Sequence, residues 1–209
     1  MKLYFNPYGC SLAVVIAATE ARIELDLVEV DILKDPHTLA DGTDYVGVNA
    51  KNYVPALVAA NGELLTEVSA ILQYLADLRP EWNLAPTAGS WPRTRLQETL
   101  NFLGSELHKF YSPWLFHPEV GEVAQDYARA KIASRYALIE RQLDGSDYLM
   151  GDFSVADAYL FVMVNWAGFA KTPLDAFPNI RAWFDRMQAR PAVQEALRLH
   201  AGKPKRIAA

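Results

Sequence analysis

The chain has 209 residues, long enough to bury a sizeable core as one domain or two small ones. Hydrophobic residues at 51% and charged residues at 22% are values of an ordinary soluble globular protein and exclude a disordered chain; no apolar run approaches the roughly eighteen residues that a bilayer crossing needs. A net charge of −5 gives no attraction for nucleic acid, the basic cluster Lys203 to Arg206 reads as a solvated tail, and a single cysteine excludes an internal disulfide framework and fits a reducing, cytoplasmic compartment.

Leu3 to Phe5 reads as a short strand, Asn6 to Gly9 as a turn, and Ser11 to about Arg22 as a helix. The apolar run Leu12 to Ala18 is too short for a secretory leader and has no basic lead beyond Lys2. Alternation through Leu25 to Val30 gives a second strand, parallel to the first in a βαβ unit. Ala56 to Val58 and Leu64-Leu65, separated by Asn61-Gly62, predict an antiparallel hairpin, and the apolar spacing of Val68, Ile71, Leu72, Leu75 and Leu78 predicts the helix after it. These elements assemble into a mixed four-stranded sheet with helices, a thioredoxin-like arrangement, over residues 1–79. Prolines and a glycine mark 80–92 as a linker.

From 93 to 209 the pattern is helical throughout, so the fold class is α+β with an all-α C-terminal domain. Leu96, Leu100, Leu103, Leu107 and Phe110 form a stripe in a helix expected to break before Pro113. Val123 to about Leu143 forms another. Ser154 and Asp157 make a capping box ahead of the buried Ala158 to Val164 stretch. Ile180, Trp183, Phe184 and Met187 line a helix stopped at Pro191, and Val193 to Leu199 forms the last.

Candidate chemistry gathers at three places. Cys10 and Ser11 lie where the first strand turns into the first helix, and free N–H groups there favour a thiolate. Ala13 stands where a dithiol oxidoreductase carries its second cysteine, so any disulfide chemistry must borrow a sulfur from a ligand. Lowering a thiol from about 8.5 to about 6.5 takes roughly 2.7 kcal/mol, which Ser11's hydroxyl or a helical N–H is able to supply; the plain alternative is a small buried residue at a helix start. A cis Pro55 would turn Val54's backbone toward an extended ligand, Glu67 is suited to an ammonium group, and the free N–H groups from Val68 onward suit a carboxylate. Asn101, Ser105 and His108 share one helix face beside Glu106 and Lys109, either as a ligand face or as a solvated one. His108 ordinarily titrates near 6.5, and Lys109 attracts anions. Phe110, Tyr111, Trp114, Trp166 and Phe169 are aromatic candidates for an apolar pocket, of which Tyr111, Trp114 and Trp166 are retained. His37, His117 and His200 lack ligand-spaced partners, so no metal site is expected.

The segments MKLYFNPYGCSLA, DGTDY at 41–45, NYVPAL, LLTE, ELHK at 106–109 and FSVADAYLF at 153–161, in this order and spacing, resemble the glutathione transferase family and within it the bacterial beta class. The resemblance runs over nearly the whole chain. It implies a cytosolic homodimer that adds the thiolate of glutathione, its co-substrate, to a small hydrophobic electrophile. It implies Cys10 at the sulfur, with Ser11 and His108 as its catalytic neighbours. It implies a glutathione site of Tyr4, Lys34, Tyr53, Val54, Pro55, Glu67, Val68 and Lys109, with Asn101, Ser105 and Glu106 reaching across the dimer interface. Val68 departs from the small or polar residue usual after this glutamate, and a side-chain hydroxyl contact there is lost. Two other functions remain on the same scaffold: thiol transfer or peroxide reduction through a Cys10–glutathione disulfide, and non-catalytic binding of apolar ligands.

Overall fold

The computed structural model describes residues 1–201; the basic cluster Lys203 to Arg206 lies outside the described residues. Strands β1 (Lys2–Phe5), β2 (Asp26–Asp31), β3 (Thr38–Leu39), β4 (Ala56–Val58) and β5 (Leu64–Thr66) form one sheet in the order β3-β2-β1-β4-β5. β1 runs parallel to β2 and antiparallel to β4, and the two edge pairs are antiparallel. The sheet therefore has five strands where four were expected. The extra one, β3, spans two residues, too short to show an alternating pattern. The hairpin turn has the expected positive φ, at Gly62 with 87°. Ala59 N–H donates to Glu63 O at 2.9 Å, so the loop has three residues with glycine in the left-handed position.

Leu3 of β1 faces Leu27 and Leu57, and on that side of the sheet lie α1 (Leu12–Glu20) and α2 (Val68–Leu78). Every residue of α1 from Leu12 to Ala18 is buried, because the helix is sandwiched between the sheet and the helical half. On the opposite face Tyr4, Val30, Tyr45 and Ala56 form a small second core.

The helical half contains α3 (Trp91–Phe102), which widens into a π-helical stretch Leu103–His108 and continues as α4 (Lys109–Leu115). Pro113 thus lies inside a helix that was expected to stop before it. Proline removes one ladder bond, but Tyr111 of the same turn is fully enclosed, and packing outweighs the local preference. Then follow α5 (Glu122–Gln142), α6 (Val155–Asn165), α7 (Ala167–Ala170), α8 (Pro178–Gln188) and α9 (Pro191–His200). The predicted capping box at Ser154 and Asp157 is present, and α6 is buried nearly all round. No helix among the described residues is long and apolar enough to cross a membrane.

Polar clamps join the halves. The buried Arg93 guanidinium donates to Asp77 Oδ1 at 2.9 Å and to Pro86 O at 2.8 Å, tying α3 to α2. α9 is fastened to α1 at both ends, by Arg190 Nε to Glu20 Oε1 at 2.7 Å and by His200 Nε2 to Ser11 Oγ at 3.0 Å.

Candidate active site

The turn between β1 and α1 is held by Asn6, whose Nδ2 donates to Val30 O at 3.0 Å while its Oδ1 accepts from Tyr8 N at 3.0 Å. This delivers Cys10 to the start of α1, 8% exposed, with Sγ donating to the Val54 carbonyl at 3.6 Å. Burial pushes the thiol up to about 12, against a smaller downward pull from its own backbone N–H and the Lys109 charge. Burial thus works against the expected thiolate: desolvation outweighs the helix terminus, and a carbonyl acceptor favours the protonated sulfur. Ser11 is engaged away from the sulfur. Its fully buried hydroxyl donates to Asn6 O at 3.2 Å and meets His200 Nε2 at 3.0 Å, so its work is to fasten the turn.

Val54 and Pro55 are joined by a cis peptide bond, and the turn before them is fixed from beneath. Tyr45 Oη and Asn49 Nδ2 both donate to Tyr53 O, at 3.1 and 2.7 Å. Neither was among the sequence candidates; their signal, two polar side chains destined for burial a few residues ahead of a Val-Pro step, has no periodic signature. Tyr53 itself is exposed, with Lys109 Nζ 5.9 Å above its ring. Tyr4 packs with Tyr45 at a ring separation of 5.6 Å, in the small core behind this turn.

Glu67 stands at the entry to α2 with φ of 70°, a conformation that costs a non-glycine residue on the order of 1–3 kcal/mol. Its Oε1 accepts from Lys51 Nζ at 2.7 Å, and the same ammonium donates to Thr66 Oγ1 at 2.9 Å. The pair is solvent-exposed and contributes little to stability, about 0–1 kcal/mol, yet it shows the carboxylate holding an ammonium group. Lys34 is exposed in the turn after β2, and the cation brought beside Glu67 is Lys51, which no sequence motif marks for that place. Val68 is buried, and Ser69 donates its hydroxyl to Leu100 O at 3.3 Å instead of facing a ligand.

From the helical half, His108 places Nδ1 2.9 Å from Tyr159 Oη, with its ring 5.4 Å from that of Trp166. Burial, followed by the Lys109 charge, lowers it to about 4, so the near-neutral titration expected of it gives way to a neutral imidazole. Trp166 Nε1 donates to Tyr8 O at 3.2 Å, bridging to the Cys10 turn. Its ring meets Phe116 edge-on at 5.1 Å, and Phe116 lies 5.8 Å from Phe169, which is 80% exposed. Trp166, Phe116 and Phe169 thus form a run of apolar rings that starts at the turn; of these the sequence pattern retains Trp166, and Phe116 carries no signal there. Trp114 is half-buried on α4, its carbonyl accepting from Gln125 Nε2 at 3.4 Å. Tyr111 does not wall a pocket: it is fully enclosed, its hydroxyl spent on Tyr136 Oη at 2.7 Å and Thr172 Oγ1 at 2.9 Å. Asn101 and Ser105 are exposed on one face, Ser105 Oγ donating to Asn101 O at 2.8 Å, while Glu106 accepts from Arg135 Nη2 at 2.6 Å. Among the described residues no group of three or more His, Cys, Asp or Glu side chains is placed to hold a metal ion.

This architecture has close counterparts. The glutathione S-transferase N-terminal domain model matches residues 9–78 and the glutathione S-transferase C-terminal domain model matches 102–191. The chain is 40% identical over 198 residues to glutathione S-transferase GstA of Escherichia coli O157:H7, covering 94% of this chain and 97% of that one. It superposes with a TM-score of 0.91 on a sphingomonad glutathione S-transferase complexed with glutathione, at 39% identity over 97% of this chain and all of the other. The bacterial beta class glutathione S-transferase of Sphingomonas chungbukensis gives 0.90 at 39% identity, over 96% of this chain and 98% of that one. The chain belongs to the glutathione S-transferase family and stands within it beside the bacterial beta class.

Proposed function

We propose that this protein transfers the thiolate of glutathione to small hydrophobic electrophiles, as a cytoplasmic homodimer. The observation that carries this reading is the convergence on the Cys10 turn of a polar side and an apolar side: the Val54 backbone, the Glu67 carboxylate and the Lys109 ammonium on one, the Trp166–Phe116–Phe169 rings on the other. Residues 1–79 bind glutathione, 80–92 join the halves, and 93–209 supply the electrophile pocket and the dimer contacts. Glu67 takes the γ-glutamyl ammonium in the way it takes Lys51, and the amides of α2 from Val68 onward take the neighbouring carboxylate. Lys34 serves the glycyl end, and Lys109 adds attraction for the anion. Between α3 and α5 lies an open groove of about 630 Å³ with a mixed lining, Phe102, Leu138 and Met150 beside Arg95, Glu98 and Gln142, and this is the surface we assign to a second copy.

The protonation states favour conjugation over thiol transfer. A buried, protonated Cys10 is a poor nucleophile but a ready S–H donor, able to turn from the Val54 carbonyl to a glutathione sulfur anion. Keeping that sulfur ionised at neutral pH takes roughly 2.7 kcal/mol, within reach of one or two hydrogen bonds to a charged acceptor at about 1.5–3 kcal/mol each. With a chlorinated nitrobenzene the carbon–sulfur bond forms, chloride leaves and the glutathione thiol proton passes to solvent. Most of the rate then comes from holding sulfur and ring carbon together.

Comparing Cys10→Ser and Cys10→Ala tests this. The serine variant keeps a donor and should conjugate within about tenfold of wild type, with the alanine variant slower. Equal collapse of both, together with loss of mixed-disulfide reduction, would point to a redox enzyme. Tight binding of hydrophobic dyes by a wild type that turns over nothing would point to a binding protein.

A further inference from the structure

We propose that Tyr159 is a positioning residue that fixes the tautomer of His108, directing its hydroxyl proton to Nδ1 so that Nε2 presents an N–H donor to the cleft. The inference rests on the reading that His108 serves the glutathione sulfur, and it assigns a task to a buried hydroxyl in the middle of α6. Tyr159 lies on α6 at 3% exposure, with Oη 2.9 Å from His108 Nδ1. A phenol carries one proton, and among the described residues His108 Nδ1 is the hydrogen-bond partner found for it. The nearby Ser69 hydroxyl gives its own proton to Leu100 O. An imidazole that accepts at Nδ1 carries its proton at Nε2.

The ring is held against turning. Tyr159 meets it edge-on at 5.7 Å and 84°, and Trp166 flanks it at 5.4 Å, itself anchored through Nε1 to the Tyr8 carbonyl. The donor is thereby tied to the same loop that delivers Cys10. Burial keeps both partners uncharged, lowering His108 and raising Tyr159, the latter further through the charges of Cys10 and Glu67 when ionised. Tyr159 therefore acts as a fixed hydroxyl and not as a base. Without it, a neutral His108 would be free to put its proton on Nδ1, and a lone pair at Nε2 would repel a sulfur anion.

Nitrogen-15 NMR of histidine-labelled protein reads the tautomer directly. In the wild type His108 should show an unprotonated Nδ1 and a protonated Nε2; the opposite pattern would overturn the proposal whatever the activity. Tyr159→Phe keeps the ring and removes the hydroxyl. It should shift the His108 pattern toward a mixture and lower kcat by about ten- to a hundredfold, the worth of one hydrogen bond to an anion, with the glutathione KM changed less than about twofold. His108→Gln supplies an amide N–H near the Nε2 position with no tautomer to set. Adding Tyr159→Phe to it should then cost nothing further, whereas an equal loss in both backgrounds would show that Tyr159 only supports the fold. A wild type that fails to bind glutathione in a calorimetric titration would sink the functional reading and leave the nitrogen pattern to decide the tautomer.

Discussion

Glu67 keeps a left-handed φ of 70° while carrying a side chain, and nothing in its exposed pair with Lys51 repays that strain. Glu67→Gly should therefore hold or raise stability by on the order of 1 kcal/mol in urea unfolding while abolishing the heat of glutathione binding. A variant that binds normally would place the γ-glutamyl site elsewhere. Cys10 invites a different measurement. With its thiol at about 12, alkylation by iodoacetamide should be slow at pH 7 and still rising about tenfold per unit at pH 10, whereas a plateau near neutrality would reveal a thiolate. The location of Cys10 was legible in the sequence, since a strand, a Pro/Gly turn and an apolar helix bracket it. Its proton was not, because the deciding acceptor, the Val54 carbonyl, lies 44 positions away and the burial comes from the whole fold.

α6 was the most legible element, because a capping box is a local arrangement written in adjacent residues. What the local pattern could not show is how many groups lean on Asp157. Its carboxylate accepts from Ser154 N at 3.0 Å, Ser154 Oγ at 3.2 Å, Leu149 N at 2.9 Å and Trp183 Nε1 at 3.0 Å. Asp157→Ala should cost on the order of 2–4 kcal/mol, by leaving buried donors without a partner, while the folded fraction keeps its glutathione affinity. A loss below about 0.5 kcal/mol would mean that water replaces the carboxylate. Elements whose existence depends on distant partners escaped the sequence: β3 exists because β2 offers it an edge, and α4 passes through Pro113 because Tyr111 is locked to Tyr136 and Thr172. The clasp of α9 on α1 joins residues 170 and 189 positions apart, and His200, which shows no partner in the sequence, turns out to brace the Cys10 turn through Ser11.

At the scale of the whole molecule these buried groups give folding a definite proton balance. Burial depresses His108 and His200 to about 4 from an ordinary value near 6.5, so the unfolded chain binds their protons first, and the stability they allow above pH 6.5 is lost as pH falls toward 4. Asp157 works in the opposite sense. Burial raises it to about 6, so it favours the folded state in acid, and that contribution disappears as pH rises from near 4 through 6. Between pH 6 and pH 4.5 unfolding therefore takes up two protons at the histidines and releases one from the carboxyl. The net uptake of about one proton makes the unfolding free energy fall by about 1.4 kcal/mol per pH unit from these three groups. His200→Gln removes one histidine and leaves His108 and Asp157 nearly cancelling. Urea unfolding of wild type and variant across this range should show slopes that differ by about one proton, about 1.4 kcal/mol per pH unit, with the variant the shallower. Identical slopes would mean that His200 takes its proton in the folded state, and the α9–α1 clasp would then have to survive a charge at the Ser11 end.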